Sequence, residues 1–217
     1  MNDESTAIQG LPRLGMPAPR FEVATTHGTI RLDDFRGSWL ILFSHPADFT
    51  PVCTTEFIGF ANIREQLQEL NCELMGLSID SVYSHIAWVR NIEEKMGVKI
   101  EFPVIADLNK EVATLYGMIS PGESTTETSR CVFVIDPDQV LRAMIYYPLT
   151  TGRNMDEILR LIRALQTSDE KGVATPANWQ PGEKVIIPPP QTQEAAEERV
   201  ADEALECTDW YFCKKSL

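Results

Sequence analysis

Nowhere in the 217 residues do two cysteines stand three apart. The five cysteines, at 53, 72, 131, 207 and 213, are scattered too widely for a disulfide framework and supply no C-x-x-C dithiol. Cys207 and Cys213 form a lone C-x5-C without a nearby histidine, well short of the four ligands of structural zinc, so no metal is expected. Basic side chains are also scarce: 19 Lys and Arg against 32 Asp and Glu give a net charge of -13. Phosphate recognition needs clustered Lys and Arg, so the composition argues against nucleic acid and against an anionic membrane surface. No apolar run approaches a membrane span, and MNDESTAIQG lacks the basic-then-apolar pattern of a signal peptide. The expectation is a cytoplasmic protein with reduced thiols. No internal repeat is visible.

What remains is a chain with 43% hydrophobic residues, enough for one or two soluble domains with a sizeable core. Residues 1–20, with prolines at 12, 17 and 19, read as an irregular lead-in. FEVATTHGTIRL reads as a hairpin turning at His27-Gly28, and SWLILFS as a strand buried on both faces. From Thr54 to Leu70 apolar residues recur at helical spacing. ELMGLSID and FPVIAD are further strands, alternating with helices over Ser84–Lys95 and DLNKEVATLYG. GMISPGESTTETSR is a polar loop, CVFVIDPDQVLRAMIYYP a second hairpin, and NMDEILRLIRALQ an amphipathic helix. This alternation predicts an α/β layered domain over residues 1–166. Beyond it, 167–217 is proline-rich, carries a helix candidate at EAAEERVADEALE, and ends in CTDWYFCKKSL. Val185, Ile186, Ile187, Trp210, Tyr211 and Phe212 make this arm too apolar for a free tail; a neighbouring subunit is the expected cover.

The chemistry concentrates in SHPADFTPVCTTEF, residues 44–57. Cys53 is placed just ahead of the helix expected from Thr54, where backbone N–H groups and the helix dipole favour a thiolate. Thr50 stands where a partner thiol would be and can aim its hydroxyl at the same point. Pro46 and Pro51 stiffen the turn. An activated thiolate with no local partner suits attack on a small external electrophile, and a hydroperoxide fits: the products are a sulfenic acid and water or alcohol. Charge developing on the leaving oxygen needs a donor. Arg130, opening a strand expected beside SWLILFS, is the best candidate, with Arg153 of PLTTGRN second. His45 adjoins the motif as a hydrogen-bonding candidate or a structural histidine. Glu56 is placed to orient a pocket arginine or to favour the first helical turn. Cys72 and Cys131 read as inert strand cysteines, His27 as a turn residue and His85 as a helix-start residue.

PADFTPVC, Pro46 to Cys53, resembles the P-x-x-x-T/S-x-x-C motif of peroxiredoxins, and SHPADFTPVCTTE resembles their 1-Cys, peroxiredoxin-six-like subgroup. SR at 129–130, FVIDPDQVLR, YYPLTTGRN and WQPGEKVIIPPP extend the resemblance over nearly the whole chain. It implies a thioredoxin-like fold with a C-terminal extension arm. It also implies that Cys53 is the peroxidatic cysteine in a pocket of Thr50, Arg130 and Pro46, with no metal or flavin cofactor. The implied partners are a peroxide, a thioredoxin-like or other thiol reductant, and copies of the chain itself, as a homodimer within a decamer of five dimers. CTDWYFC is similar to the tail of archaeal and some bacterial members whose distal cysteines resolve the sulfenic acid. Cys213, beside Lys214 and Lys215, is the expected resolver on a partner chain, with Cys207 next to exchange. The two are not expected to pair across an intact helix: six residues rise about 9 Å, against disulfide Cα separations of about 4.4–6.8 Å.

Three other activities compete. A disulfide oxidoreductase lacks its C-x-x-C. A lipid hydrolase would need Ser38 in a G-x-S-x-G elbow, and RGSWLI is not one. A holdase or scaffolding oligomer is separated from an enzyme by peroxide consumption that depends on Cys53.

Overall fold

The computed structural model describes residues 11–217, so the first ten residues of the expected lead-in lie outside the described residues. The chain divides into two compact units, 1–155 and 156–217.

In the first unit, β1 (Glu22–Thr25) and β2 (Gly28–Arg31) form the expected hairpin, with Gly28 at φ 94° in the turn. They join a seven-stranded sheet in the order β2-β1-β5-β4-β3-β6-β7. Its other members are β3 (Trp39–Ser44), β4 (Cys72–Ser78), β5 (Val104–Ala106), β6 (Arg130–Ile135) and β7 (Leu141–Tyr147). β3, β4 and β5 run parallel, while β6 pairs antiparallel with β3 and with β7. β3 and β6 are buried at every position, as expected for central strands covered on both faces.

The alternation of β3 assigns its faces. Leu40 and Leu42 enter a cluster with Met75, Leu77, Tyr116, Phe133 and Leu141. Phe43 points to the opposite face, stacked on Phe60 at 4.0 Å between ring centres and set edge-on to Phe57 at 5.6 Å. Both partners belong to α1 (Pro51–Glu69), which is thereby clamped along the centre of the sheet. Burying a side chain of this size contributes about 1.5–3 kcal/mol. α2 (Val82–Met96) starts on a Ser81 cap that accepts from Ser84 N–H and ends at Gly97 with φ 71°. α3 (Glu111–Leu115) is a short turn whose N–H groups at Val112 and Ala113 donate to Asp107.

α1 begins three residues earlier than the apolar spacing predicts. Pro51, with φ preset and no N–H to leave unsatisfied, occupies the first helical position. Cys53 is therefore inside the first turn, not ahead of it.

The second unit consists of α4 (Met155–Lys171), which starts on the last residue of the first unit, then β8 (Val185–Ile186), α5 (Gln193–Ala201), β9 (Glu206–Asp209) and β10 (Phe212–Lys215). Ala164, Val173, Trp179 and Val185 form its core, and the Trp179 indole N–H donates to Glu183 O at 3.1 Å. Thr192 caps α5, accepting from Ala195 N–H. The helix expected over 194–206 stops at Ala201. The tail departs from expectation: CTDWYFC is not helical but a hairpin, β9 turning through Trp210-Tyr211 into β10, in a sheet of order β8-β10-β9. Aromatic and β-branched residues favour a pleated strand over a helix. The register sets Cys207 directly opposite Cys213, with Cα atoms 4.0 Å apart and the sulfurs joined as a disulfide. The helical rise that would have kept them apart does not apply.

Candidate active site

Three elements meet around Cys53. The parallel register carries β3 to its end at Ser44, beside Leu77 of β4, and the chain then turns through His45–Thr50 into α1. Because β6 is antiparallel to β3, with Phe43 opposite Val132, the beginning of β6 lies at the same end of the sheet. Ser44 fastens the two strands: its hydroxyl donates to Ser129 O at 2.6 Å and accepts from Cys131 N–H at 3.1 Å. Arg130 is thus delivered to the first turn of α1, although 77 residues separate it from Cys53.

Cys53 is fully buried. Arg130 Nη1 donates to its Sγ at 3.3 Å and to Glu56 Oε2 at 2.6 Å. The same guanidinium donates through Nε and Nη2 to Leu149 O, at 3.0 and 2.7 Å, so its orientation is fixed from the far side. Burial works against the Arg130 charge, but its contact with Cys53 and the charge of Glu56 outweigh this and hold its pKa above the ordinary value.

Glu56, one turn beyond Cys53, is shared by two arginines. Arg153 grips it in a fork, Nε to Oε1 and Nη2 to Oε2, both at 2.8 Å, and adds its own backbone N–H at 3.0 Å. Arg153 Nη1 donates to Ser44 O and Cys131 O, both at 2.9 Å, and its guanidinium lies over the rings of Phe43 and Phe60 at 5.1 and 5.2 Å. Burial pushes the pKa of this arginine down, and the Glu56 carboxylate opposes the shift. Arg153 therefore organises the site through Glu56, at one remove from the sulfur.

Thr50 is the residue preceding α1; its Oγ1 donates to Ala47 O at 2.9 Å. That spends its hydrogen and leaves its oxygen as an acceptor. Pro46 is buried in the connecting turn. His45 is fully buried, with Nε2 2.9 Å from Asp48 Oδ1, its amide donating to Leu77 O, and its carbonyl accepting from Thr128. His85, read from sequence as a helix-start residue, is on α2 as expected but is also fully buried and bonded to Asp48. Only the fold could reveal that, since 37 residues separate them. The ligand-type atoms of His45, Asp48 and His85 lie within 4.8 Å of one another, but those contacts are hydrogen bonds and fall short of a closed four-ligand shell.

The remaining cysteines differ sharply in setting. Burial pushes the Cys131 thiol up to about 12, and Cys72 is raised by burial and by the charge of Glu73. Both stay protonated near neutrality and are poor nucleophiles. Cys207 and Cys213 are joined within the second unit.

A buried thiol at a helix start, held by an arginine that a carboxylate and a second arginine position, is an arrangement for displacing one oxygen of a peroxide. Similarity to known proteins agrees. Residues 14–144 match the AhpC/TSA family, and 164–203 match the C-terminal domain of 1-Cys peroxiredoxin. A peroxiredoxin of Aquifex aeolicus is 58% identical, covering 97% of this chain and 99% of its own. One from Methanosarcina mazei is 55% identical over 94% and 98%. The structure of a yeast mitochondrial 1-Cys peroxiredoxin superposes with a TM-score of 0.85 at 40% identity, covering 95% of this chain and all of the other. That of Arenicola marina peroxiredoxin 6 gives 0.85 at 38%, over 94% and 97%. The fold is accordingly thioredoxin-like with a C-terminal extension, and the chain belongs to the peroxiredoxins, the thiol-dependent peroxidases.

Proposed function

We propose that the chain reduces hydrogen peroxide and organic hydroperoxides through a sulfenic acid on Cys53, and that a C-terminal cysteine of a partner chain resolves that acid. The observation that carries the first half is the 3.3 Å contact between Arg130 Nη1 and the buried Cys53 Sγ. The Cys53 thiolate attacks one peroxide oxygen; the S–O bond forms as the O–O bond breaks, and the departing oxygen leaves as water or alcohol once protonated. Arg130 stabilises the thiolate and the charge that develops on the leaving oxygen. Thr50 Oγ1, with its hydrogen committed to Ala47, accepts from the O–H of the incoming peroxide. Pro46 keeps the turn rigid, and Arg153 holds Glu56, and through it Arg130, in place. His45 completes the wall against which the peroxide is held.

The second half rests on the Cys207–Cys213 disulfide. Two cysteines paired across a hairpin, in a chain whose other three thiols are free, suit a terminal oxidised state that an external thiol reductant opens. In the reduced arm, Cys213 attacks oxidised Cys53 of the partner chain, and Cys207 then exchanges with Cys213. Cys53 is fully buried, so its attack by a second thiol requires the first turn of α1 to open. In this reading 1–166 is the peroxidase domain and 167–217 an arm that packs on a partner subunit, within a homodimer and a decamer of five dimers.

The test is peroxide consumption with alternative thiol donors by wild type and by each cysteine variant. Cys53→Ser is expected to abolish turnover. Substantial residual activity in Cys53→Ser would refute the assignment, and a covalent dimer that persists in Cys213→Ser would transfer the resolving role to Cys207 or to an outside thiol.

A further inference from the structure

The two sulfurs of the Cys207–Cys213 disulfide are alike in chemistry but not in surroundings. Cys213 belongs to β10, the central strand in the order β8-β10-β9, and is fully buried. Cys207 belongs to β9, the edge strand, and is partly exposed between the exposed residues Glu206 and Thr208. Thiol–disulfide exchange turns this asymmetry into a choice. An attacking thiolate places its electron pair in the antibonding orbital of the S–S bond, so it must come in line, from behind the sulfur it attacks. The rate depends on which sulfur it reaches and on how well the other one leaves.

Cys207 and Cys213 stand opposite each other in the ladder, so their bond joins β9 to β10 across the strands. The line behind Cys213 runs toward β8 and its continuation. That side is covered: Ile187 N–H donates to Cys213 O at 3.1 Å, and Ile186 pairs with Lys214. The line behind Cys207 runs off the edge of the sheet, and among the described residues no strand lies beyond β9. Carbonyl oxygens of the hairpin turn also crowd Cys213 Sγ, Asp209 O at 3.4 Å and Trp210 O at 3.9 Å, and both repel an incoming anion. Cys207 Sγ has Arg199 O at 3.7 Å, from the last turn of α5. As a leaving group Cys213 is the better placed. It precedes Lys214 and shares its face of β10 with Lys215, and nearby positive charge favours a departing thiolate. Once the freed sulfur takes up a proton, Asp209 O is in place to accept its S–H.

We propose that Cys207 is the sulfur an external dithiol reductant attacks and Cys213 the sulfur it expels, so that the first mixed disulfide forms on Cys207. This rests on the reading of the arm as the device that resolves Cys53. A reductant thiolate bonds to Cys207 Sγ as the Cys207–Cys213 bond breaks. The bonding pair leaves on Cys213, which takes up the proton that the attacking thiol gave up. The second thiol of the reductant then displaces Cys207 from the mixed disulfide, and Cys207 takes up the second proton. The reductant becomes a disulfide by losing two electrons, and the arm gains two electrons and two protons.

The choice can be read without peroxide on the full-length Cys53→Ser chain, its arm oxidised with diamide so that the Cys53 thiol takes no part. The probe is 2-mercaptoethanol, added for increasing times and quenched in acid. Free thiols are then blocked with N-ethylmaleimide and the peptides identified by mass spectrometry. Extrapolated to zero time, the adduct is expected on Cys207 with Cys213 blocked. It should exceed the reverse product by about tenfold, a difference of about 1.4 kcal/mol between the two attacks. Diamide-oxidised wild type should give the same ratio. Adduct that forms first on Cys213 in either protein, or that divides evenly between the two sulfurs, overturns the proposal. Failure of diamide to join Cys207 to Cys213 would instead strike the reading of the arm as the resolving device, so the two failures are distinguishable.

Discussion

At the residue scale, a single carboxylate decides how the site is held. Glu56 receives Arg130 at 2.6 Å and Arg153 in a fork at 2.8 Å, all nearly inaccessible to water. Removing one member of such a buried set leaves charge uncompensated, at a cost of about 3–5 kcal/mol. Glu56→Gln should therefore lower the urea midpoint markedly while leaving the slope unchanged, and a midpoint at the wild-type value would contradict the network. Arg130→Ala is different, because that side chain touches the sulfur itself. Losing one charged donor to a developing oxyanion typically costs about 10²–10³ in rate. Stopped-flow oxidation of Cys53 in Arg130→Ala should fall by that order, and an unchanged rate would remove Arg130 from the chemistry. Cys131→Ser should oxidise normally, since its thiol, pushed up to about 12, is protonated at neutral pH.

At the element scale, most of the scaffold is legible in the sequence because periodicity and punctuation agree. WLILF reads as a doubly covered strand and becomes β3; Gly97 ends α2; the Asp136-Pro137-Asp138 turn separates β6 from β7. The placement of Arg130 is also legible, since a strand opening at Arg130 beside SWLILFS predicts the pairing seen between β3 and β6. Two local expectations fail for identifiable reasons. Apolar spacing begins only at Phe57, so it cannot see a first turn built from Pro51, Val52 and Cys53, and the N1 proline is the better signal. Ahead of CTDWYFC, the acidic helix pattern extends further in sequence than the helix does in space. Helical character ends at Ala201, and the aromatic run pairs as strands. The buried contacts of His85 escape sequence reasoning entirely, because a histidine inside the first turn of a helix carries no local mark of an aspartate 37 residues away. The hairpin itself makes a prediction. With Cys207 directly opposite Cys213, oxidised protein digested without reductant should yield a peptide linking the two, and Cys207→Ser should lose it while retaining single-turnover oxidation of Cys53. A rate loss in Cys207→Ser would mean that the hairpin takes part in the first step.

At the scale of the whole molecule, acid acts on the buried interior and assembly on the exposed surface. Burial holds the pKa of His45 below its ordinary value, so on lowering the pH an unfolded chain takes up this proton before the folded chain does. The corresponding stability is fully present above about pH 6.5, the unfolded value, and is lost as the pH falls from there toward the folded value. Asp48 is also depressed: burial opposes its ionisation, but hydrogen bonds from His45 and His85 outweigh that, and its contribution is lost only as the pH falls below about 4. Urea midpoints should therefore decline between pH 7 and pH 5, and a flat profile would contradict a buried neutral His45.

Assembly is argued from surface that the fold leaves uncovered. Tyr83 and Ile86, one turn apart on α2, are 81% and 40% exposed, and Phe49, at a φ of 54°, extends toward the same helix, 6.5 Å from Trp88. In the second unit, Trp210, Tyr211 and Phe212 project from the β9–β10 turn and remain substantially exposed. Large apolar side chains grouped in this way mark contact surfaces, and closed symmetric oligomers are the usual means of covering them. Sedimentation velocity at micromolar concentration should show no stable monomer. Ile86→Glu with Tyr83→Glu places charge on the α2 surface and should reduce the largest species, whereas Trp210→Ser with Tyr211→Ser acts on the arm. If the α2 pair leaves the sedimentation profile unchanged and the arm pair dissociates the protein fully, the hairpin alone carries the assembly. A wild type that sediments as a stable monomer would remove the partner chain, and with it any resolution of Cys53 by a neighbour's Cys213.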